Sequence, residues 1–251
     1  MVCGYLMLDQ LLERYRQGDR LAVSRLVSLA ARGEQLAEIA QALPAPSSPA
    51  RVIAFTGGAG VGKSTLIGRL IALAQAEQHK VGVLACDPQS PLTGGALLGD
   101  RFRMGATEDD GVWIRSLATA SGRGAVAEHL DLIIRLLENY GFGVIFIETV
   151  GAGQGDVAVA TLADAVVLLL QPETGDDLQW EKAGILELAD VIVVHKADLP
   201  GADQTAAQVR AMLELSPGRS VPVVQISTKK GEGHTELWKT LLGLPKRRRL
   251  T

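Results

Sequence analysis

The chain has 251 residues, 47% of them hydrophobic and 21% charged, a composition that excludes wholesale disorder. Its 25 basic and 28 acidic side chains leave a net charge of −3, without the basic excess of a dedicated nucleic-acid binder. Two cysteines, Cys3 and Cys86, exclude a disulfide framework or a Cys-rich zinc cluster, and apolar runs such as 165–170 are too short to span a bilayer.

With no export-signal pattern near Asp9 and Glu13, the expectation is a cytoplasmic protein with neither a membrane nor a nucleic-acid partner. Residues 5–42 read as helical, with Leu8, Leu11, Leu12 and Tyr15 at helical spacing and a break at Gly18 and Asp19. The Pro/Ser stretch from Pro44 to Pro49 cannot continue a helix and reads as a linker. From Arg51 short apolar runs alternate with amphipathic segments. Strands are predicted near 51–56, 81–87, 112–117, 143–149, 165–171, 190–195 and 222–227, with a helix over 124–139. Such alternation predicts an α/β fold whose parallel sheet is covered by helices on both faces. The expected organisation is an N-terminal helical extension (1–43), a linker (44–50), the main domain (51–245) and a basic, solvated tail (246–251).

Residues 57–65 read Gly57, Gly58, Ala59, Gly60, Val61, Gly62, Lys63, Ser64, Thr65, a GxxxxGK[ST] run between an apolar strand and a helix over 66–76. Glycines let the backbone wrap phosphate oxygens with its N–H groups. Lys63 adds a point charge, and the Ser64 hydroxyl can ligate Mg²⁺. Such a P-loop NTPase site needs a carboxylate at a neighbouring strand end. Asp87 and Glu148 both end predicted strands, where the plain alternative is a helix cap. Asp100 lies in a Gly-rich loop and reads equally as a third metal-side ligand or a turn residue.

His195-Lys196-Ala197-Asp198 follows an apolar strand and resembles the NKxD element that reads guanine. An Asp carboxylate accepts from both N–H groups on guanine's edge. His195 stands where such elements carry Asn, and an imidazole lacks the two-ended amide. Ser227, Thr228 and Lys229 follow the next strand, the place of a second base-contacting loop.

Three longer blocks resemble one family. The stretch 87–104, Glu148-Thr-Val-Gly-Ala-Gly-Gln154, and 174–190 are similar to the first switch, the ETVGVGQ element and the third switch of the MeaB/ArgK GTPases. That family chaperones adenosylcobalamin-dependent acyl-CoA mutases, methylmalonyl-CoA mutase among them. The resemblance spans roughly 8–242 and implies the fold of the signal-recognition and nickel-enzyme GTPases. It implies GTP/GDP on the loop 57–65, on His195, Lys196 and Asp198, and on 227–229. It implies Ser64, Asp87, Asp100 and Glu148 around Mg²⁺, Lys63, Asp87 and Glu148 as catalytic groups, and 174–182, with Lys182, as the signalling segment. The implied reaction is slow GTP hydrolysis completed by the mutase, gating adenosylcobalamin loading or removal. Typical members continue past the position of Leu242 into a dimerising helical arm, so the expectation is a monomer or weak dimer. The competing readings are a nickel-insertion GTPase, which would load metal through Cys and His, and an ATP-using kinase, against which Asp198 argues.

Lys182 generates the first prediction. Lys182→Ala leaves GTP affinity within a few-fold but removes most of the mutase's stimulation of turnover, since a coupling residue acts only in the complex. GTP hydrolysis with and without saturating mutase measures it, and full stimulation of the variant would exclude Lys182.

Overall fold

The computed structural model describes residues 2–88, 111–119, 127–149, 154–172, 183–215 and 220–247. Three helices open the chain: α1 (Val2–Arg16), α2 (Arg20–Ala31) and α3 (Leu36–Ala42). The predicted break at Gly18 and Asp19 is a cap, with the Asp19 carboxylate accepting from the Leu21 and Ala22 amides at 2.8 and 3.4 Å. A second break, between α2 and α3, escaped the sequence reading because Arg32 to Gln35 carry no proline and only one glycine.

The remaining described elements alternate. They are β1 (Arg51–Gly57), α4 (Lys63–Ala76), β2 (Val81–Pro88), β3 (Val112–Thr119), α5 (Ala127–Tyr140), β4 (Val144–Glu148) and α6 (Gln154–Leu162). Then follow β5 (Ala165–Leu170), α7 (Ala183–Leu188), β6 (Val191–His195), α8 (Ala202–Glu214), β7 (Val223–Ile226) and α9 (His234–Gly243). The seven strands form one sheet in the order β3-β2-β4-β1-β5-β6-β7, and every pairing is parallel. The predicted α/β class and all seven strands are therefore present.

Alternation along each strand divides the core into two faces. Ile53 and Phe55 of β1 look toward α4 and α9, packing with Leu66, Ile67, Leu70 and Trp238. Val52 and Ala54 look the other way, into a cluster that includes Leu26 and Val27 of α2 and Leu130 and Ile134 of α5. The N-terminal helices thus share a core with the sheet. On the edge strand β3 the Val112 carbonyl accepts from Arg20, and Trp113 Nε1 donates to Ser24 Oγ at 3.1 Å. Arg115 donates to Ser28 Oγ at 2.6 Å. Positions 20, 24 and 28 recur one helical turn apart, so a single ridge of α2 lies along β3.

The end of the sheet away from the phosphate loop is closed by acids. Asp164 accepts from the Val52 amide and Asp190 from the Val166 amide, at 2.8 and 2.9 Å. The stretch after α9 crosses this end. Arg51 donates to the Leu244 and Leu242 carbonyls at 2.8 and 3.0 Å, and the Arg247 amide donates to Asp164 at 3.1 Å. Lys246 and Arg247, expected in a solvated tail, are exposed yet tied to Pro49 O and Asp190.

Leu26 is fully buried in α2. Leu26→Ala is expected to lower stability by about 2–5 kcal/mol, the usual cost of a buried leucine cavity. Because its cavity opens against the sheet's own core, the loss should appear in one cooperative transition. Urea unfolding followed by tryptophan fluorescence and by circular dichroism tests this, and separate transitions would show that the N-terminal helices fold apart.

Candidate nucleotide site

Parallel strands bring all their carboxyl ends to one edge of the sheet, the edge where open α/β folds hold ligands. β1 lies at the centre, between β4 and β5. Its exit turn is the Gly-rich loop, and α4 begins immediately afterwards at Lys63, three residues earlier than the sequence predicts. Gly57 has φ +142°, and a Cβ there would come within 2.4 Å of the Leu169 carbonyl of β5. Only glycine lets the chain turn off the strand while staying paired to its neighbour.

Lys63 is buried and folds back over the loop, donating from Nζ to the Gly57 and Gly58 carbonyls at 2.9 and 3.2 Å. Beside it, Ser64 Oγ donates to Glu148 Oε1 at 2.8 Å, both groups being buried. Glu148 reaches this position because it is the last residue of β4, in register with Phe55 of β1. A hydroxyl and a carboxylate side by side are hard oxygen donors of the kind Mg²⁺ prefers, and they flank the loop that would hold phosphates. The pair therefore fits the cation that such a site requires. Asp87 lies within β2. Its side chain, Asp100, Lys182, residues 89–104 of the expected first switch and the expected signalling segment 174–182 lie outside the described residues, so Ser64 and Glu148 are the described part of the expected metal set.

His195 ends β6 and is almost wholly enclosed. Its Nδ1 donates to the Val61 carbonyl at 2.7 Å, and its Nε2 meets Thr228 Oγ1 at 2.9 Å. A carbonyl only accepts, so the Nδ1 position carries the proton. The ring also lies against Gly62, where a Cβ would meet it at 2.4 Å and where φ is +101°. The residue at the usual Asn position therefore spans the phosphate loop and the loop after β7.

Lys196 adopts φ +56°, a left-handed conformation uncommon without glycine. Its ammonium donates to Gln171 Oε1 at 2.7 Å, just beyond β5. Asp198 accepts from Ser227 Oγ at 2.8 Å, and this bond, with Lys229 and Lys230 nearby, holds its carboxyl below the ordinary range. Two partners were not anticipated. Gln171 carries no motif. His234 lies outside every motif of the sequence, and it faces Thr228 Oγ1 through Nε2 at 3.2 Å.

A family model described as "Methylmalonyl Co-A mutase-associated GTPase MeaB" matches residues 23–246. A Pyrococcus abyssi protein provisionally named a GTPase is 44% identical over 240 residues, covering 92% of this chain and 74% of that protein. A Cupriavidus metallidurans protein named fused isobutyryl-CoA mutase is 34% identical over 239 residues, covering 90% of this chain and 22% of that one. Among solved structures, one titled as an LAO/AO transport system kinase superposes with a TM-score of 0.69 at 24% identity, over 95% of this chain and 75% of that one. At that identity the likeness speaks for the fold.

Burial pushes both His195 and His234 below the ordinary histidine value of 6.5. In the window just below that value the unfolded chain binds protons that the folded chain refuses. Stability is thus expected to be full above about pH 6.5 and to fall as the pH drops through the depressed native values. Urea midpoints at about pH 7.5 and about pH 5.5 measure the loss. A double variant, His195→Asn with His234→Gln, is expected to lose less over the same interval.

Proposed function

The chain belongs to the methylmalonyl Co-A mutase-associated GTPase family, and we propose that it serves as the GTP-hydrolysing switch of a cobalamin-dependent acyl-CoA mutase. The chain is a GTPase by family, and the family binds guanine nucleotides. The finer reading is that hydrolysis gates adenosylcobalamin loading or removal. The observation that carries it is the match to a stretch of a fused isobutyryl-CoA mutase, a relative in which such a segment shares one chain with a mutase.

In this reading the loop 57–65 holds the phosphates and Lys63 neutralises their charge, aided by backbone N–H groups at the start of α4. Ser64 and Glu148 would hold Mg²⁺, with Asp87 and Asp100 as further candidates from the sequence. Held there, the cation would supply charge neutralisation for the phosphates. Asp198 would accept from the guanine edge, its carboxylate oriented by Ser227 and kept ionised by that bond and by its lysine neighbours. Lys196, held by Gln171, would flank the base, and Thr228 and Lys229 would close the pocket. Catalysis of this kind is mainly positioning and charge neutralisation, and completion by a partner suits a switch. The described residues hold no helix long and apolar enough to cross a membrane.

Two measurements test the reading. Asp198→Asn is expected to weaken GTP and to favour xanthosine triphosphate, whose altered donor pattern suits an amide; equal ATP and GTP affinity in the parent would sink guanine recognition. GTP turnover is expected to rise when an adenosylcobalamin-dependent acyl-CoA mutase is added. Turnover unchanged by methylmalonyl- and isobutyryl-CoA mutases alike would remove the mutase role while leaving the GTPase.

A further inference from the structure

The loop after β6 is braced on both flanks. β6 pairs with β7 as far as His195 and Ile226, and with β5 as far as Val194 and Leu170. On the β7 flank the tie continues past the last rung: the Ala197 amide donates to the Ile226 carbonyl at 2.9 Å, and Ser227 Oγ donates to Asp198 at 2.8 Å. On the β5 flank the ladder stops at Leu170, and side chains carry the tie onward. The Lys196 ammonium donates to Gln171 Oε1 at 2.7 Å, and a Cβ at Gly201 would stand 3.8 Å from Pro172 Cβ, ordinary contact.

Two features of Lys196 give the Gln171 contact its weight. Its backbone has φ +56°, and its carbonyl accepts from the Leu199 amide at 2.9 Å, so residues 196–199 make one tight turn that carries Asp198. A left-handed residue other than glycine persists where its neighbours fix it. The side chain is long and flexible, and holding it in one position costs rotamer entropy that a bond at its tip must offset. An ammonium only donates, so the amide oxygen of Gln171 is the atom that faces it. A charged donor makes that bond stronger than a neutral one. With its root at the β6 exit and its tip at the β5 exit, the lysine stem bridges the gap between two strand ends.

That bridge is an apolar strip with a fixed place. Asp198 sits on the same turn and, in the reading above, accepts from the edge of guanine. The stem beside it would meet the face of the same ring. Lysine stems pack on apolar surface, and an ammonium near a ring face attracts it. Without Gln171 the stem would sample several rotamers and offer the ring no fixed surface.

We propose that Gln171 is a positioning residue for nucleobase binding: it holds the Lys196 ammonium so that the lysine stem forms a fixed wall against the purine face. This role rests on the guanine-nucleotide reading above. A stem meets the face of the base and not its edge. Gln171 therefore adds affinity without choosing between purines that differ in an edge amine, and that choice stays with Asp198.

Calorimetric titration with GDP and with inosine diphosphate, which lacks guanine's exocyclic amine, tests this. Gln171→Met keeps the length of the side chain and removes the acceptor. It is expected to weaken both nucleotides by the same factor, about three- to tenfold, the worth of one hydrogen bond. Gln171→Glu keeps an acceptor at the same reach and should recover most of that loss. In a Lys196→Met background Gln171→Met should cost nothing further, since the ammonium it would release is already gone. Gln171→Asn, whose acceptor falls one methylene short, carries the same test if Gln171→Met does not fold. Unchanged GDP affinity in the acceptor-less variant would overturn the proposal. So would a loss that persists in full in the Lys196→Met background, a loss confined to GDP, or a Gln171→Glu protein that binds no better than Gln171→Met. A parent that binds neither nucleotide would instead overturn the guanine-nucleotide reading, and this inference with it.

Discussion

A buried ammonium folded back onto two carbonyls is the contact on which the site depends. Lys63 Nζ reaches the Gly57 and Gly58 oxygens, closing the loop into a cradle. A buried cation is costly unless nearby dipoles or charges compensate it. The carbonyls do part of this, and the surrounding N–H groups make the same volume favourable for an anion. The cradle depends on β1 being the central strand. Its two neighbours then deliver Glu148 on one side and the Leu169 carbonyl on the other, each fixed by register.

A nucleotide has two ends, and a site that recognises both must hold two loops at a set distance. Here a histidine ring spans them. His195 leaves β6 at the right level, because β6 pairs with β5 and β7, and places one nitrogen on the phosphate loop and one toward Thr228. An amide at this position would bond both sides without a charge. The imidazole does it through its two ring nitrogens, one on the Val61 carbonyl and one on the Thr228 hydroxyl. Gly62 is part of the same arrangement, since the ring occupies the space a side chain there would need.

The opposite end of the molecule is built for rigidity. Asp164 and Asp190 accept from amides at the starts of β1 and β5, and Arg51 and Arg247 lace the segment after α9 across the sheet. The α2 ridge covers the edge strand β3, which would otherwise offer an open ladder. Function at one edge and bracing at the other is the usual division in a parallel sheet, whose strand ends are chemically unlike.

Local signals in the sequence determined most of the fold. Apolar runs of strand length, separated by helical stripes, marked all seven strands, because a strand buried on both faces must be apolar throughout. The loop 57–65 was legible for a similar reason: its chemistry sits in nine consecutive residues. Glu148 and Asp198 were legible as candidates, being polar groups at the ends of apolar strands. What the sequence left open was every relation across the chain. It offered Glu148 and Asp87 as equals, and only the register of β4 against β1 sets Glu148 on Ser64, 84 positions away. It marked His195 as a departure from Asn without saying what the ring would touch, and it passed over His234 and Gln171. Their roles come from contacts between loops that no periodicity encodes. Tertiary structure decided these because a hydrogen bond depends on where two strand ends lie in the sheet, and strand order is a property of the whole packed chain.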